Sequence, residues 1–481
     1  MWFPETIHLR TWLLVVGFLL YFAIIIISVI VVLRENRNPI RALSWVIALI
    51  FLPGVGLIFY LFFGRSMRGE MLSLVNRRRL QHSFQPYGVK VQETSLSKEQ
   101  KNLVMLGSEV GGFPLTFNNE IEILTDGATK FDLLKKDLKG AKKSIYLQYY
   151  IFLDDTIGNE IASILMEKAK SGIEVKVIYD HVGSFSASNS FFKQMEQNGI
   201  EVHPFYRVNF PQFANRINWR NHRKIVVIDD ETGYIGGMNI ADRYAFGNGK
   251  NKELWRDTHF RLRGDIVESL KYSFFVDWNF QKKDPYLPTP LATHSSLNNN
   301  TGVQLVTGGP ISKWDNLSLM FLKAISSAKR LIWIQTPYFL PTDALFNALQ
   351  AAALSNIDVR IMMPAHTDSM LLHYASFSYI TQCLEAGIKI YLYQPGMLHA
   401  KAMIIDDDFA TAGSTNFDFR SFENNFECNL FIHDAEVNGK MREIFYEDMK
   451  SCEKVNKEKW RKRKLGHRFL ESLLRLVSPI L

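Results

Sequence analysis

Two segments of the chain, NHRKIVVIDDETGYIGGMN at residues 221–239 and LHAKAMIIDDDFATAGSTN at residues 398–416, decide the fold because they are copies of one pattern. Each has a histidine, a lysine two positions later, an aspartate after four more residues, and then a glycine-rich turn and an asparagine. The apolar residues IVVI and AMII inside them are typical of a buried strand. Side chains two apart on a strand share a face, so each copy presents its histidine and lysine together.

The segments before these motifs repeat in the same order. AKKSIYLQYYIFLDD, from Ala141, matches AKRLIWIQTPYFLPTD, from Ala328, and SGIEVKVIYD, from Ser171, matches SNIDVRIMMP, from Ser355. In both copies, apolar runs of strand length alternate with helical patterns. We therefore predict a mixed α/β fold of two homologous halves, each with helices covering a largely buried sheet.

Composition shifts give the predicted boundaries, with the proline-containing stretch before LNNN separating the halves. The predicted parts are a pair of transmembrane helices at 1–70, a linker at 71–113, the first half at 114–280, an inter-half linker at 281–302, the second half at 303–452 and a basic amphipathic segment at 453–481.

The first seventy residues contain two uncharged apolar stretches, Trp12 to Leu33 and Ala42 to Phe63. Each is long enough to cross ~30 Å of hydrocarbon as a helix, and Pro53 is an interruption that membrane helices tolerate. A cleaved signal peptide is the alternative for the first stretch, but its apolar run exceeds the usual ~7–15 residues. We predict a multi-pass protein of the cell membrane with an N-terminal transmembrane hairpin.

Arginines flanking the two stretches give an expected orientation. Those on the side of the main body are Arg10, Arg65, Arg68, Arg77, Arg78 and Arg79, and those in the connecting loop are Arg34, Arg37 and Arg41. The excess favours a cytoplasmic body, while the three loop arginines leave the opposite orientation open.

The chain's overall charge indicates an anionic partner. Its 481 residues carry a formal net charge of +8, which suits nucleic acid, phosphorylated small molecules or an anionic bilayer. The apolar stretches favour the bilayer. The three cysteines, Cys383, Cys428 and Cys452, lie far apart and indicate neither a disulfide framework nor a metal knuckle.

The repeated motif suits chemistry on a phosphodiester. His222 and His399 can each act as nucleophile, acid or base near neutral pH. Lys224 and Lys401 can hold the phosphate, since a unit charge about 4 Å away contributes roughly 4 kcal/mol at an effective dielectric of 20. One copy alone could be a solvated strand edge, but two copies at matching positions favour a shared site.

The rest of each motif adds further candidate residues. Asn239, Ser414 and Asn416 lie beside glycines, where backbone can approach a phosphate closely, and we predict that they help to bind it. Asp229 and Asp406 complete the motifs and are counted among the candidate catalytic residues. A zinc site is the rival, but the sequence has no HExxH and no cysteine near either histidine.

The two motifs resemble the paired HKD motifs of the phospholipase D superfamily, over roughly Ile121 to Cys452. The resemblance implies halves related by a pseudo-twofold axis, two histidines flanking one phosphate, and a phosphohistidine intermediate formed without metal or other cofactor. It also implies acidic residues that orient the histidines, and Glu427 and Asp257 are the candidates. Surface salt bridges are the alternative for this pair.

Several further segments are similar to the bacterial cardiolipin synthases of that superfamily. These are WVIALIFLPGVGLIFYLFFGR, YYIFLDDTIG, WRDTHFRLRG and STNFDFRSFENNFE. The similarity implies that two phosphatidylglycerol molecules become cardiolipin and glycerol. We predict His222 as nucleophile and His399 as acid and base, while the pseudo-symmetry leaves the reverse assignment open. It implies phosphatidylglycerol and anionic membrane lipids as partners, and no nucleic acid.

Four other functions are considered as alternatives. A phospholipase D-type hydrolase, or a transphosphatidylase acting on other phospholipids, would use the same residues. A nuclease would not need two membrane spans. A lipid-binding protein with a dead site would carry a damaged motif, and both motifs are intact.

The C-terminal segment combines a basic run with an apolar pattern at helical spacing. The basic residues are Lys454, Lys457, Lys459, Arg461, Lys462, Arg463 and Lys464, and the apolar residues are Leu465, Phe469, Leu470, Leu473, Leu474 and Val477. Such a helix lies on an anionic leaflet or docks its apolar stripe on the protein body. Composition leaves both alternatives open.

Overall fold

The structure is a computed structural model, and it describes residues 4–35, 39–60, 91–208, 218–247, 254–280, 286, 297, 299–476 and 478. Residues 71–90 of the predicted first linker and most of the predicted inter-half linker lie outside the described residues. The chain divides into two units, one formed by residues 1–68 with 208–218 and the other by the remainder.

The first unit contains three helices, α1 (Pro4–Glu35), α2 (Pro39–Phe51) and α3 (Pro53–Phe59). The stretch Thr11–Leu33 within α1 is long and apolar enough to cross a membrane, and most of its large apolar side chains are exposed. Near the end of α1, Val32 packs with Leu49 of α2 and with Tyr60. The helices α1 and α2 therefore form a packed pair.

The second predicted span is not one continuous helix. Leu52 separates α2 from α3 with non-helical dihedral angles, φ −132° and ψ 59°. Pro53 explains the break, because its ring disfavours helical geometry at the preceding residue and it has no N–H to donate. Residues 61–63 lie outside the described part, so the second span stays a prediction.

The second unit begins with a helix that the sequence interpretation missed. Residues 98–111 of the predicted linker instead form α4 (Lys98–Gly111), whose N-terminus has a capping box between Ser97 and Gln100. Leu103 and Val104 are buried. The Ser-x-x-Gln pattern was the available signal. A short strand follows, β1 (Leu115–Thr116), which was predicted in the first half but pairs with a strand of the second.

The first half has a seven-stranded mixed sheet in the order β2-β8-β7-β6-β3-β4-β5. Its strands are β2 (Asn119–Leu124), β3 (Ser144–Tyr149), β4 (Glu174–Asp180), β5 (Glu201–Phe205), β6 (Ile225–Ile228), β7 (Thr232–Gly236) and β8 (His259–Gly264). Its helices are α5 (Gly127–Gly140), α6 (Thr156–Lys170), α7 (Asn189–Gln197), α8 (Asp242–Phe246) and α9 (Ile266–Trp278). The parallel strands β3, β4 and β5 are joined by α6 and α7, and β3 is buried along its whole length.

The second half repeats this order as β9-β17-β15-β14-β10-β12-β13, with β1 and β18 added at the two edges. Its strands are β9 (Gly302–Gly308), β10 (Leu331–Gln335), β11 (Phe339–Leu340), β12 (Asp358–Pro364), β13 (Lys389–Tyr393), β14 (Ala402–Ile405), β15 (Phe409–Gly413), β16 (Phe417–Asp418), β17 (Glu427–His433) and β18 (Cys452–Lys454). Its helices are α10 (Asn316–Ser327), α11 (Asp343–Leu354), α12 (Met370–Phe377), α13 (Ile380–Ala386), α14 (Phe419–Glu423), α15 (Ala435–Lys450), α16 (Lys457–Arg461) and α17 (Leu465–Leu476). The predicted mixed α/β fold of two homologous halves is confirmed.

Candidate active site

The two halves meet beside the histidine motifs through a reciprocal pair of backbone contacts. Isolated parallel bridges join Asn221 to Phe426 and Arg256 to Leu398. In each bridge, the residue before a motif histidine pairs with the residue before the acidic candidate of the other half. The exchange places the histidine of one half beside the acid of the other.

His222 is held by oxygen atoms of the second half. Its Nδ1 lies 2.9 Å and 3.1 Å from the two carboxylate oxygens of Glu427, and 3.0 Å from the carbonyl oxygen of Ser414. The Ser414 hydroxyl donates to Glu427 in turn. Because all three partners of Nδ1 are acceptors, they favour the tautomer with the proton on Nδ1 and a free lone pair on Nε2.

His399 has a related arrangement with an acid from the first half. Its Nδ1 lies 2.6 Å from Oδ2 of Asp257, and the Nζ atom of Lys401 is 2.9 Å from the same Nδ1. The other oxygen of Asp257 accepts from the backbone N–H of Thr258 at 2.7 Å. His399 therefore has both an acidic and a basic neighbour, unlike His222.

The two lysines lie beneath the histidines and are almost fully buried. Lys224 donates to the carbonyl oxygen of His222, and Lys401 to that of His399, both at 2.5 Å. Burial, with repulsion between the two, lowers the pKa of Lys224 to about 7 and that of Lys401, through burial, to about 8. An anion between them would favour their charged forms and raise both pKa values.

Burial also sets the protonation of the histidines and their acids. It lowers the pKa of His222 and of His399 to about 4, against the opposing effect of their carboxylates. Burial alone would raise the pKa of Glu427 and Asp257, but the neighbouring histidines and lysines hold both below their ordinary values. In the free site, neutral histidines thus face ionised carboxylates.

The glycine-rich turns differ between the halves for a steric reason. Gly237 occupies the position in the first motif that Ser414 has in the second. A Cβ atom at Gly237 would lie 2.1 Å from Oδ1 of Asp257. Only glycine leaves room for that carboxylate, whereas Ser414 uses its side chain to hold Glu427.

The two motif asparagines are buried and make hydrogen bonds to neighbouring residues. The Oδ1 atom of Asn239 accepts from the backbone N–H of Ile151 at 3.1 Å, and its Nδ2 donates to the Tyr244 hydroxyl at 2.6 Å. The Tyr244 ring lies 5.7 Å from the His399 ring. Asn416 is buried, and its backbone N–H donates to Ser421 at 3.2 Å.

The structure does not bring Asp229 and Asp406 to the histidines, which corrects their expected place in the site. The Asp229 carboxylate accepts from the backbone N–H groups of residues 142, 143 and 144 at 2.7–3.0 Å, where β3 begins. Asp406 does the same for residues 329, 330 and 331 at 2.8–3.1 Å, where β10 begins. Both lie at the far end of the short strand from the histidine, and their hydrogen bonds are to the backbone.

Each half contains a glutamine–aspartate pair that binds an arginine, and neither pair was predicted from the sequence. Gln148 donates to Asp277 at 2.5 Å, and Arg223, next to His222, donates to the same carboxylate at 2.7 Å. In the second half, Gln335 donates to Asp448 at 2.7 Å. The repeated glutamine in IYLQYY and LIWIQTP was the available signal.

The arginine in the second of these pairs comes from the first half. Arg256, next to Asp257, donates to Asp448 at 2.9 Å and so carries a buried ion pair across the two halves. Because Arg256 directly precedes Asp257, this contact fixes the backbone position that brings Asp257 to His399.

Aromatic rings cover the two histidines. The Tyr150 ring lies 4.9 Å from that of His222, and the Trp255 ring 5.2 Å from that of His399. Such rings exclude water from a site and lower its effective dielectric.

A buried lysine lies outside the motifs, on α5. Lys130 is fully buried, with its Nζ 3.9 Å from the centroid of the Phe131 ring and no hydrogen-bond partner among the described residues. Burial holds its pKa well below the usual range, against the attraction of Asp257. A buried amine without a hydrogen-bond partner lowers the free energy of unfolding, unless its charge stabilises the neighbouring carboxylate of Asp257.

Family models match both halves and part of the N-terminal region. A model described as "Cardiolipin synthase, PLD-like domain" matches residues 134–260 and 321–449. A second, described as "Phospholipase_D-nuclease N-terminal", matches residues 23–65. The two matches to one domain model coincide with the two halves of the structure.

Curated relatives are similar over nearly the whole chain. Cardiolipin synthase 2 of Bacillus anthracis is 39% identical over 457 residues, covering 94% of this chain and 89% of the relative. Major cardiolipin synthase ClsA of Bacillus subtilis (strain 168) is 37% identical over 469 residues, covering 95% of this chain and 97% of the relative.

A solved structure shares the fold. The crystal structure of phosphatidylserine synthase from Haemophilus influenzae Rd KW20 superimposes with a TM-score of 0.60 at 16% identity, covering 79% of this chain and all of that one. At this identity the likeness concerns the fold alone.

Proposed function

The chain belongs to the cardiolipin synthase family of phospholipase D-like enzymes, and we propose that it converts two phosphatidylglycerol molecules into cardiolipin and glycerol. The observation that carries the proposal is the exchange of acids between halves, with Glu427 on His222 and Asp257 on His399. Two oriented histidines beside two lysines suit a two-step transfer at one phosphorus.

In the first step, Nε2 of His222 attacks the phosphorus of one phosphatidylglycerol, and the bond from phosphorus to the glycerol oxygen breaks. His399, as imidazolium, gives its proton to the leaving glycerol. In the second step, His399 takes the proton of the free glycerol hydroxyl of a second phosphatidylglycerol. That oxygen attacks the phosphohistidine and releases His222.

The assignment of His222 as nucleophile rests on its neighbours. The oxygens facing its Nδ1 favour a lone pair on Nε2, the atom that must attack. His399 faces both Asp257 and Lys401, a mixed environment that suits a group gaining and losing a proton in each cycle.

The charges of the site favour protonation of a histidine once the substrate has bound. Before the substrate enters, the ionised carboxylates of Glu427 and Asp257 face two lysines whose pKa values burial has lowered to about 7 and about 8. The single negative charge of a phosphodiester then favours protonation of one histidine and raises its pKa from the value near 4 in the free site. The same charge draws Lys224 and Lys401 to their ammonium forms, which stabilise the crowded transition state.

We assign supporting roles to the remaining motif residues. Ser414 holds Glu427, and Asn239 holds Tyr244 against His399. Asn416 completes the turn after the second motif. For Asp229 and Asp406 we propose a structural role, since each fixes the start of a central strand through three backbone N–H groups.

The test is the product of labelled phosphatidylglycerol supplied in vesicles to the full chain. A product with two phosphates and a matching amount of free glycerol is expected. Phosphatidic acid as the main product would make the protein a hydrolase, and transfer to added alcohols in preference to phosphatidylglycerol would make it a general transphosphatidylase.

For the membrane arrangement, we propose that the segment from Ala42 to Phe63 crosses back, despite its break at Leu52, and that the body lies in the cytoplasm. A hairpin places both of its ends on the same side of the membrane, and the excess of arginines flanking those ends favours the cytoplasmic side. Single cysteines placed in the loop at residue 37 and in the body at Leu354 should differ in labelling by an impermeant reagent in intact cells. Labelling at both positions, or at Leu354 alone, would contradict the arrangement.

A further inference from the structure

The last helix docks on the body by a side that carries charged residues beside leucines. Glu471 of α17 is buried and pairs with Arg463 through contacts of 3.1 Å and 2.5 Å. Arg475 donates to Gln382 at 3.0 Å and lies 4.2 Å from the Tyr379 ring. Specific charged contacts therefore fix which side of the helix faces the protein.

The opposite side of α17 is apolar and exposed. Leu465, Phe469, Leu473 and Leu476 are spaced as one stripe and remain 49–76% exposed. Leu470 and Leu474, which the sequence pattern placed in the same stripe, are instead half-buried, and Leu474 packs against the core of the second half. A surface helix of a soluble protein buries its apolar stripe, whereas α17 leaves four large apolar side chains exposed.

Exposed apolar residues also lie at the start of α12, the helix on which α17 packs. Helix α17 packs on α12, where the rings of Tyr374 and His467 lie 5.9 Å apart. Met370 and Leu371 at the start of α12 are 73% and 51% exposed. We call Met370, Leu371 and the four exposed residues of α17 the apolar face.

The segment just before α12 lies near the catalytic site, where Asp368 is close enough to act on the charge of Lys401. Asp368, two residues before α12, accepts a hydrogen bond from Tyr338 at 2.5 Å. Tyr338 packs in the core of the first half, in the same cluster as Tyr244, whose ring lies 5.7 Å from His399. The residue after Leu371, Leu372, packs against the cores of both halves.

Exposed basic residues lie beside the apolar face. Between residues 453 and 468 they are Lys454, Lys457, Lys459, Arg461, Lys462, Lys464 and Arg468, while Glu453 and Glu458 are the exposed acids in that stretch. A basic border around an exposed apolar stripe matches the headgroup region of an anionic leaflet. The stretch Thr11–Leu33 of α1 is also long and apolar enough to cross a membrane and so to hold the chain at its surface.

We propose that the apolar face inserts into the headgroup and upper acyl region of an anionic bilayer, so that the catalytic site opens onto the membrane. The identity of the lipid substrate in this proposal rests on the proposed function, whereas the membrane contact itself does not. The lipid phosphate would then reach His222 and His399 without its acyl chains crossing water.

A depth measurement tests the contact without using activity. In the full chain with Cys452→Ser, Phe469→Cys is labelled with an environment-sensitive fluorophore, and Leu354→Cys is the matched control. Leu354 is 70% exposed and precedes β12, whereas α12 follows that strand. Leu354 and the start of α12 thus lie towards opposite ends of a strand about 20 Å long, and α17 packs on α12.

In vesicles of phosphatidylglycerol, the label at residue 469 should shift to the blue and be quenched by lipids carrying a quencher near the headgroup. The label at residue 354 should do neither. Equal quenching at both positions would overturn the proposal. So would a blue shift at residue 469 that also occurs in detergent and rises with protein concentration, because a second copy of the chain would then cover the face.

An activity measurement uses Phe469→Ser with Leu473→Ser, and Leu354→Ser as control. Losing two inserted apolar side chains should lower the rate on vesicles about tenfold or more and leave the rate on detergent-dispersed substrate within about twofold. Equal loss in both would overturn the proposal. If the unmodified chain makes no cardiolipin while the depth result holds, the proposed function fails and the membrane contact stands.

Discussion

Replacing Glu427 with glutamine should nearly abolish synthesis because it removes the charge that faces His222. The carboxylate is fully buried and lies 2.9 Å from Nδ1. At that distance and an effective dielectric of 20, a unit charge contributes about 6 kcal/mol to a cationic imidazole ring. A glutamine keeps a dipole there, so we expect a loss of about 4–5 kcal/mol, or 10³- to 10⁴-fold in rate.

The tautomer adds to this loss. One carboxylate oxygen of Glu427 accepts from the Ser414 hydroxyl while both face Nδ1. A glutamine that keeps its oxygen on Ser414 turns its NH₂ group towards Nδ1. That contact favours a proton on Nε2 and removes the attacking lone pair.

The control is Glu427→Asp, which keeps the charge but withdraws it by about 1.5 Å. The same Coulomb relation gives a loss of about 2 kcal/mol, or roughly 30-fold. The assay is single-turnover release of labelled glycerol from phosphatidylglycerol in vesicles, with thermal unfolding to check the fold. A glutamine variant within tenfold of the unmodified rate, or an aspartate variant slower than the glutamine one, would refute the role of the charge.

Four further predictions test the rest of the site. His222→Ala and His399→Ala should each abolish synthesis without adding in the double variant, and acid quenching should trap labelled phosphate on His222; label retained in His222→Ala would reverse the roles. Turnover should persist with a chelator, since lysines stand where other phosphotransferases use metal ions, and complete, reversible loss would contradict this. Asp229→Asn and Asp406→Asn should each lower the free energy of unfolding by about 1–2 kcal/mol but leave the folded enzyme active. A variant that is stable but inactive would indicate a catalytic role for the aspartate instead. Lys130 has a pKa lowered by burial, so the unfolded chain takes up a proton below pH ~10 that the folded chain does not. Lys130→Met should therefore be more stable in urea at pH 7 than the unmodified chain, and this difference should shrink towards pH ~10; a less stable variant would indicate that the charge of Lys130 stabilises Asp257.

Local patterns were enough to predict the two halves. The buried runs IVVI and AMII became β6 and β14, and the alternating segments before them became the parallel strands. Periodicity and caps act within a few residues, so the sequence shows them directly. The Ser97 capping box is an equally local signal, but α4 was not predicted because the residues around it are polar.

Roles within the motif were less predictable. A conventional motif name groups Asp229 with His222 and Lys224, yet only the last two face the site. The intervening IVVI strand carries Asp229 to its opposite end, where the amides at the start of β3 take up both carboxylate oxygens. Nothing in the spacing distinguishes an acid that orients a histidine from one that fixes a strand.

By itself, the sequence determined that two similar α/β halves each carry one histidine and one lysine, because these features depend on neighbours a few positions apart. Only the tertiary structure decided that the halves exchange acids, with Glu427 205 residues from its histidine and Asp257 142 residues from its own. It also decided that Gly237 must be glycine and that α17 turns its apolar stripe outward. Such contacts depend on how one half docks on the other and on which charged groups pair there, and no periodicity along the chain records either.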